Sequence, residues 1–125
     1  MASGFIEISN DRVFAVRWPA FDEIIRIIIR ELKKMDNSEN LILFLSAYIP
    51  KKQLKAGSEL GWGFVDEKTN EIVSRIITLN ELSHKDLELF WKAVESGNKQ
   101  LIEQGKEYSF LQMDIMNDLL KLKNI

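Results

Sequence analysis

Glu31 is the residue of this sequence with the clearest chemical potential. In helical projection it falls between Ile24 and Ile27, inside an apolar arc that also holds Phe21, Ile25, Ile28, Leu32 and Met35. A carboxylate in that position could be a buried functional group, with Arg17 and Trp62 completing a small ligand or enzymatic pocket between sheet and helix. It could equally sit at the edge of the arc as a structural carboxylate, paired with arginine or bonded to backbone, because structural pairs perturb pKa values as active sites do. The structural reading is the expectation. His84 is the sole histidine and stands beside Lys85 and Asp86 in the first turn of a predicted helix. With no second histidine and no cysteine at ligand spacing, it reads as a solvated surface residue and not as a metal ligand or base. Gly57, Gly61 and Gly63 lack the helix start and the Gly-Lys-Ser run of a phosphate loop, and no serine lies in a G-x-S-x-G turn. The residues therefore suggest no catalytic set, no metal and no cofactor; the expectation is a protein that is not an enzyme.

Two acidic groups carry more information. Asp66, Glu67 and Glu71 cluster at the tip of a predicted hairpin, opposed locally only by Lys68. Asp114 and Asp118 stand four apart on a predicted final helix, with Glu107 a heptad before Asp114. A like-charge pair at that spacing costs a helix a few tenths of a kcal/mol. Charges that do not help the fold can steer a basic partner toward the domain, although solubility alone would also explain them. Trp62, flanked by Gly61 and Gly63, is the aromatic most suited to anchor an interface. Trp18 and Trp91 read as packing residues.

The elements that must position these residues follow from periodicity. Phe5–Ile8 and Val13–Trp18 alternate as two strands around the turn residues Ser9, Asn10, Asp11 and Arg12. The spacing then predicts a helix over 18–35. Pro19 suits its first turn, Asp22 and Glu23 are placed for the positive end, and Lys33 and Lys34 for the negative end. Its apolar arc spans roughly 200°, which predicts cover on more than one side, by a sheet and a second helix. After a polar loop, Leu41–Tyr48 is almost wholly apolar and reads as a strand buried on both faces, ended by Pro50. A basic irregular connection follows over 51–57. Glu59–Asp66 and Ile72–Leu79 read as a second hairpin. From Asn80 onward the chain reads as helical, with Ser83 and Asp86 as a cap signal. Leu87, Phe90, Trp91, Val94, Leu101 and Ile102 form the apolar face of a helix to Gln104, weakened at Gly97 and stopped at Gly105. The pairs Glu81–Lys85, Glu88–Lys92 and Glu95–Lys99 mark its solvated face. Ser109 and Gln112 signal the start of a final helix carrying Leu111, Ile115, Leu119 and Leu122. The expected fold is α+β, a single domain over 1–125 in the order β-β-α-β-β-β-α-α, with a mostly antiparallel sheet packed against helices.

Composition narrows the partners. The 125 residues carry 17 basic and 19 acidic groups, a net charge of −2, and no cysteine. Nucleic-acid binding by a general basic field is disfavoured. Disulfides and thiolate chemistry are excluded. The surplus of acid lies in residues 81–125, with 6 basic against 8 acidic side chains. The opening MASGFIEISN shows no secretory signal pattern and the apolar runs are too short to span a bilayer, so a cytoplasmic location without membrane contact is expected.

Gly4-Phe5-Ile6-Glu7, the short turn, Val13-Phe14-Ala15-Val16-Arg17-Trp18, then Phe21-Asp22-Glu23-Ile24-Ile25 and Glu31-Leu32 resemble the opening of small bacterial immunity proteins of polymorphic toxin and contact-dependent growth inhibition systems. Phe90-Trp91-Lys92-Ala93 adds to the resemblance. It covers about half of the chain in scattered blocks, and its motifs are structural. It implies a cytoplasmic, non-enzymatic protein that binds one cognate toxin domain, typically a nuclease, and covers its active site. It transfers no functional residue. On the residues themselves, Trp62, Asp66, Glu67, Glu71, Glu107, Asp114 and Asp118 are the candidates for toxin binding, in a chain expected to be a monomer.

Overall fold

Alternation of apolar and polar residues builds the first two strands where expected. The computed structural model describes residues 3–9, 11–49, 63–65, 72–74, 76–103 and 115–123. Strand β1 (Ser3–Ser9) pairs antiparallel with β2 (Arg12–Arg17), bringing Gly4 opposite Val16 and Ile6 opposite Phe14 on the buried face. At the turn the Ser9 hydroxyl donates to Asp11 Oδ1 at 2.8 Å and accepts from Arg12 Nε at 3.0 Å. The bond from Ser9, chiefly, holds the Asp11 carboxyl below its ordinary range.

Helix α1 (Trp18–Leu32) follows directly, with Pro19 in its first turn. Its first turn holds no acidic residue, and Arg30 is the basic residue of its last turn. Asp22 and Glu23 thus lie one turn later than the dipole pattern suggests, and Lys33 and Lys34 lie past the last helical residue. The helix stops short of Met35 because the chain tightens there: Lys34 N–H bonds Glu31 O and Met35 N–H bonds Leu32 O, both three residues back. Asn37 then takes a positive φ of 60°, a conformation asparagine tolerates. The buried Ser38 hydroxyl lies 2.6 Å from Leu32 O and 3.0 Å from Met35 O, satisfying carbonyls that the helix end leaves open.

The segment expected as a third strand is instead helix α2 (Glu39–Ser46). Leu41 and Leu45, four apart, are buried, whereas Leu43 between them is 71% exposed. A strand covered on both faces would bury all three. Uniformly apolar runs carry no period by which to tell a strand from a helix. The turn at Asn37 and Ser38 settles it locally, with Ile42 N–H closing onto Ser38 O at 2.9 Å.

The second hairpin forms in part. Strands β3 (Gly63–Val65) and β4 (Ile72–Ser74) pair antiparallel as a separate two-stranded sheet. The expected strand over 72–79 then divides. Its second half, β5 (Ile76–Thr78), lies parallel to β1, with Phe5 beside Ile76 and Ile6 beside Ile77. The main sheet therefore has the order β2-β1-β5 and is mixed: its longer β1–β2 ladder is antiparallel, as expected, and its short β1–β5 ladder is parallel. A 3-10 turn (Leu79–Glu81) leads to α3 (His84–Glu103), capped where the Ser83 hydroxyl accepts from Asp86 N–H at 3.2 Å. Helix α4 (Ile115–Lys123) closes the fold.

The class is α+β, in the order β-β-α-α-β-β-β-α-α. Helix α1 packs on β1 and β2 on one side and on α2 and α3 on others, as its wide apolar arc predicts. Phe21, Ile24, Ile25, Ile28 and Leu32 are fully buried, and α2, α3 and α4 add Leu45, Phe90, Val94 and Leu119 to the same core. The glycine expected to weaken α3 has a packing reason. A Cβ on Gly97 would stand 2.6 Å from Ile27 Cγ2, so its absence lets α1 and α3 approach.

Candidate functional site

Glu31 faces α3, and its side chain is 1% exposed. Its Oε1 accepts from the Ser96 hydroxyl at 2.5 Å; its Oε2 accepts from Lys34 Nζ at 3.0 Å and Arg30 Nε at 3.2 Å. Burial pushes the carboxyl toward the neutral form, but the Ser96 bond and the two cations together outweigh it and hold the pKa below its usual value. Each oxygen is engaged, and the partners Arg30 and Lys34 reach it from the solvent side. Arg17 and Glu31 stand at opposite ends of α1, separated by about 21 Å along the axis at 1.5 Å per residue. They do not converge.

Glu23 behaves in the opposite way. Burial raises its pKa, opposed by the charge of Arg26, and its Oε2 is buried without a hydrogen-bond partner among the described residues. A carboxyl whose folded pKa lies above its unfolded value binds more protons when folded, so stability falls as pH rises from the unfolded value through the folded one. Glu23→Gln should therefore be more stable than the parent at neutral pH, with the advantage disappearing below about pH 4.5. Urea melts of both proteins across that range measure it; a constant difference at all pH values would rule out the carboxyl as its cause.

Of the residues proposed for toxin binding, Asp118 is described. It is exposed on α4, its side chain 53% accessible and 3.8 Å from Lys121 Nζ. Trp62, Asp66, Glu67, Glu71, Glu107 and Asp114 lie outside the described residues, as do Gly61, Gly105, Ser109 and Gln112. Trp91 is a core residue, 6% exposed, in edge contact with Phe90. His84 is exposed as expected, with Nε2 3.0 Å from Glu88 Oε1. That pair replaces the expected Glu88–Lys92 bridge, and Glu95 likewise reaches across to Lys123 at 3.7 Å. Among the described residues no three His, Asp or Glu side chains are grouped to hold a metal ion, and no helix is long and apolar enough to cross a membrane.

Two features escaped sequence reasoning. One is the outward face of α2, where Leu43 stands free beside half-buried Ile42, Phe44 and Tyr48. Burial is the first cause of the raised Tyr48 pKa, with the charge of Glu81 adding to it. The other is a half-open groove of about 600 Å³ along one face of α3, from His84 to Glu95. Ile8 and Arg12 border it from the sheet, and Lys123 closes one side from α4. Arg12 Nη1 donates to Leu122 O at 2.6 Å, tying the first hairpin to the end of α4.

Comparison with family models, with curated proteins and with solved structures finds no match to this chain.

Proposed function

We propose that this chain is a non-enzymatic, monomeric, cytoplasmic immunity protein. It binds a cognate toxin domain of the nuclease kind and covers its active site, without itself touching nucleic acid or membrane. The observation that carries the reading is the outward face of α2. Leu43, at 71% exposure the most exposed large apolar side chain described, projects from a helix whose inner face is locked in the core. A rigid apolar projection beside two aromatic rings, Phe44 and Tyr48 in edge contact at 5.5 Å, is suited to fill a partner's pocket. Glu31 adds support, since a carboxylate with both oxygens engaged by its own chain is a fold element and offers no free base. The net charge of −2 and the exposed Asp118 suit a partner with a basic substrate cleft. The resemblance of the opening strands and helix to immunity proteins supplies the class of partner.

The test is co-purification with the candidate toxin domain encoded immediately upstream, followed by binding kinetics. Leu43→Asp should weaken the complex at least ~30-fold while leaving the melting curve of the free protein unchanged, since a central apolar anchor contributes about 2 kcal/mol. Association should slow about tenfold or more between low and high salt if charge steers the encounter. Failure to co-purify would overturn the reading; a complex indifferent to Leu43→Asp would move the interface away from α2.

A further inference from the structure

We infer that α2 receives an amphipathic helix of its partner, one that carries lysine or arginine beside its apolar face. The inference rests on the toxin reading for the partner's identity and goes beyond it in naming the element and the chemistry that α2 takes.

The outward row sets the shape. Glu39, Leu43 and Ala47 follow one another four residues apart, and all three are exposed. Such a row is the ridge that one helix lays into the groove of another. Leu43 stands out from it. Ala47, one turn on, leaves a step in which a partner's apolar side chain can sit. Half-buried Phe44 and Tyr48, in edge contact at 5.5 Å, border the row on one side. On the other, the Ser46 hydroxyl is turned back onto Ile42 O at 2.6 Å, so half-buried Ile42 gives that flank its apolar character.

The helix is also held ready. Leu41 and Leu45 fix its inner face in the core, Ile42 N–H closes onto Ser38 O, and the Ser38 hydroxyl fastens the entry turn to the end of α1. A surface ordered in advance loses little conformational entropy on binding.

Charge distinguishes the partner. Residues 35–49 include Asp36 and Glu39 and no basic residue. In the sequence the nearest lysines stand before Asp36 and after Pro50, so within α2 and its entry turn the charge is wholly acidic. Both carboxylates are exposed, and neither makes an ion pair among the described residues. Glu39 lies one turn before Leu43 on the same row, where it meets a cation set one turn from a partner's apolar anchor. Opposite charge at the rim of an apolar contact chooses the partner and its orientation more than it adds affinity. An apolar helix flanked by lysine or arginine meets both demands.

Titration of the 15N-labelled full chain tests this without any toxin, so its failure is distinct from a failure to co-purify. The probe is a short hydrocarbon-stapled helix with leucine along one face and lysine on the flanks. One counterpart has glutamate for lysine, the other serine for leucine. The lysine–leucine helix should saturate below about 1 mM. Its shifts should concentrate on residues 39–48, and each counterpart should bind at least tenfold more weakly. Ala47→Gln fills the step with a polar side chain, and Glu39→Lys reverses the charge. Each, at an exposed position that leaves the rest of the spectrum in place, should weaken the probe at least fivefold. Glu103→Lys, the same charge change on α3, should not. Absence of saturable shifts, shifts centred elsewhere, or equal binding of either counterpart would overturn the inference. So would an affinity unchanged by Ala47→Gln or by Glu39→Lys, or one that Glu103→Lys lowers as much as Glu39→Lys does.

Discussion

Gly4→Ala should destabilise the domain by about 2–3 kcal/mol, an effect of overpacking at a site that cannot yield. A Cβ built on Gly4 would lie 2.8 Å from Phe21 Cε2, with Cγ and Cδ2 of the same ring nearer still. The Phe21 ring is wholly buried among Ile24, Ile25 and the sheet, so it cannot swing into solvent to make room. Glycine in a strand interior is ordinarily a weakness, and alanine would gain roughly 0.5–1 kcal/mol on backbone entropy alone. The contact reverses that sign. The cause is separable from any general intolerance of β1: Phe21→Leu, harmful by itself, should recover part of the Gly4→Ala loss when the two are combined. Urea denaturation of the four proteins gives the coupling directly. Strict additivity would show that the ring is not what the new methyl meets.

Glu31 sets the second large effect. Glu31→Ala should cost about 2–3 kcal/mol at pH 7, because it removes a charged acceptor from the half-buried Ser96 hydroxyl and leaves a small void between α1 and α3. Most of that loss belongs to the Ser96 bond and the packing. Arg30 and Lys34 are 43% and 61% exposed, and solvent screens what their charges contribute. The pH dependence gives a cleaner signature. The folded pKa of Glu31 is depressed, so its ionised form stabilises the fold fully above the unfolded value of 4.5 and the contribution is lost as pH falls through the folded pKa. Glu31→Gln should thus be less stable than the parent at neutral pH and should approach it as pH falls below 4.5 and through the lowered folded pKa. This is opposite in sign to Glu23→Gln. A Glu31→Gln deficit that persists unchanged into acid would show that shape, and not charge, is what Ser96 requires.

Those two residues also show what could be read in advance. The hairpin, α1 and α3 were legible because each has a clear period, two for β1 and β2 and 3.6 for the helices, and because Pro19 and Ser83 mark beginnings. The conflict at Glu31, a carboxylate inside an isoleucine arc, was visible in projection, although its partner Ser96 was not. Leu41–Tyr48 was not legible, since a run without polar residues has no phase. Ile72–Leu79 reads as one strand because nothing in its pattern announces that Ile76–Thr78 leaves the hairpin to join β1. The groove was invisible for a different reason: Arg12, Lys92 and Lys123 share it only after the sheet, α3 and α4 are assembled. Of the toxin-binding candidates, Asp118 is on the surface as its position on an amphipathic helix suggests.

The parallel seat of Ile76–Thr78 beside the amino-terminal strand fixes an order of events during synthesis. Strand β1 leaves the ribosome first and can join β2 at once, but its other edge stays open until β5 emerges. Until then a nascent chain displays an unpaired row of backbone donors and acceptors next to α1, the helix with the wide apolar arc. Long-range pairing of this kind forms slowly, and an open strand edge is a template for pairing with a neighbouring chain. The centre of the sheet is thus the earliest part made and the last part sealed.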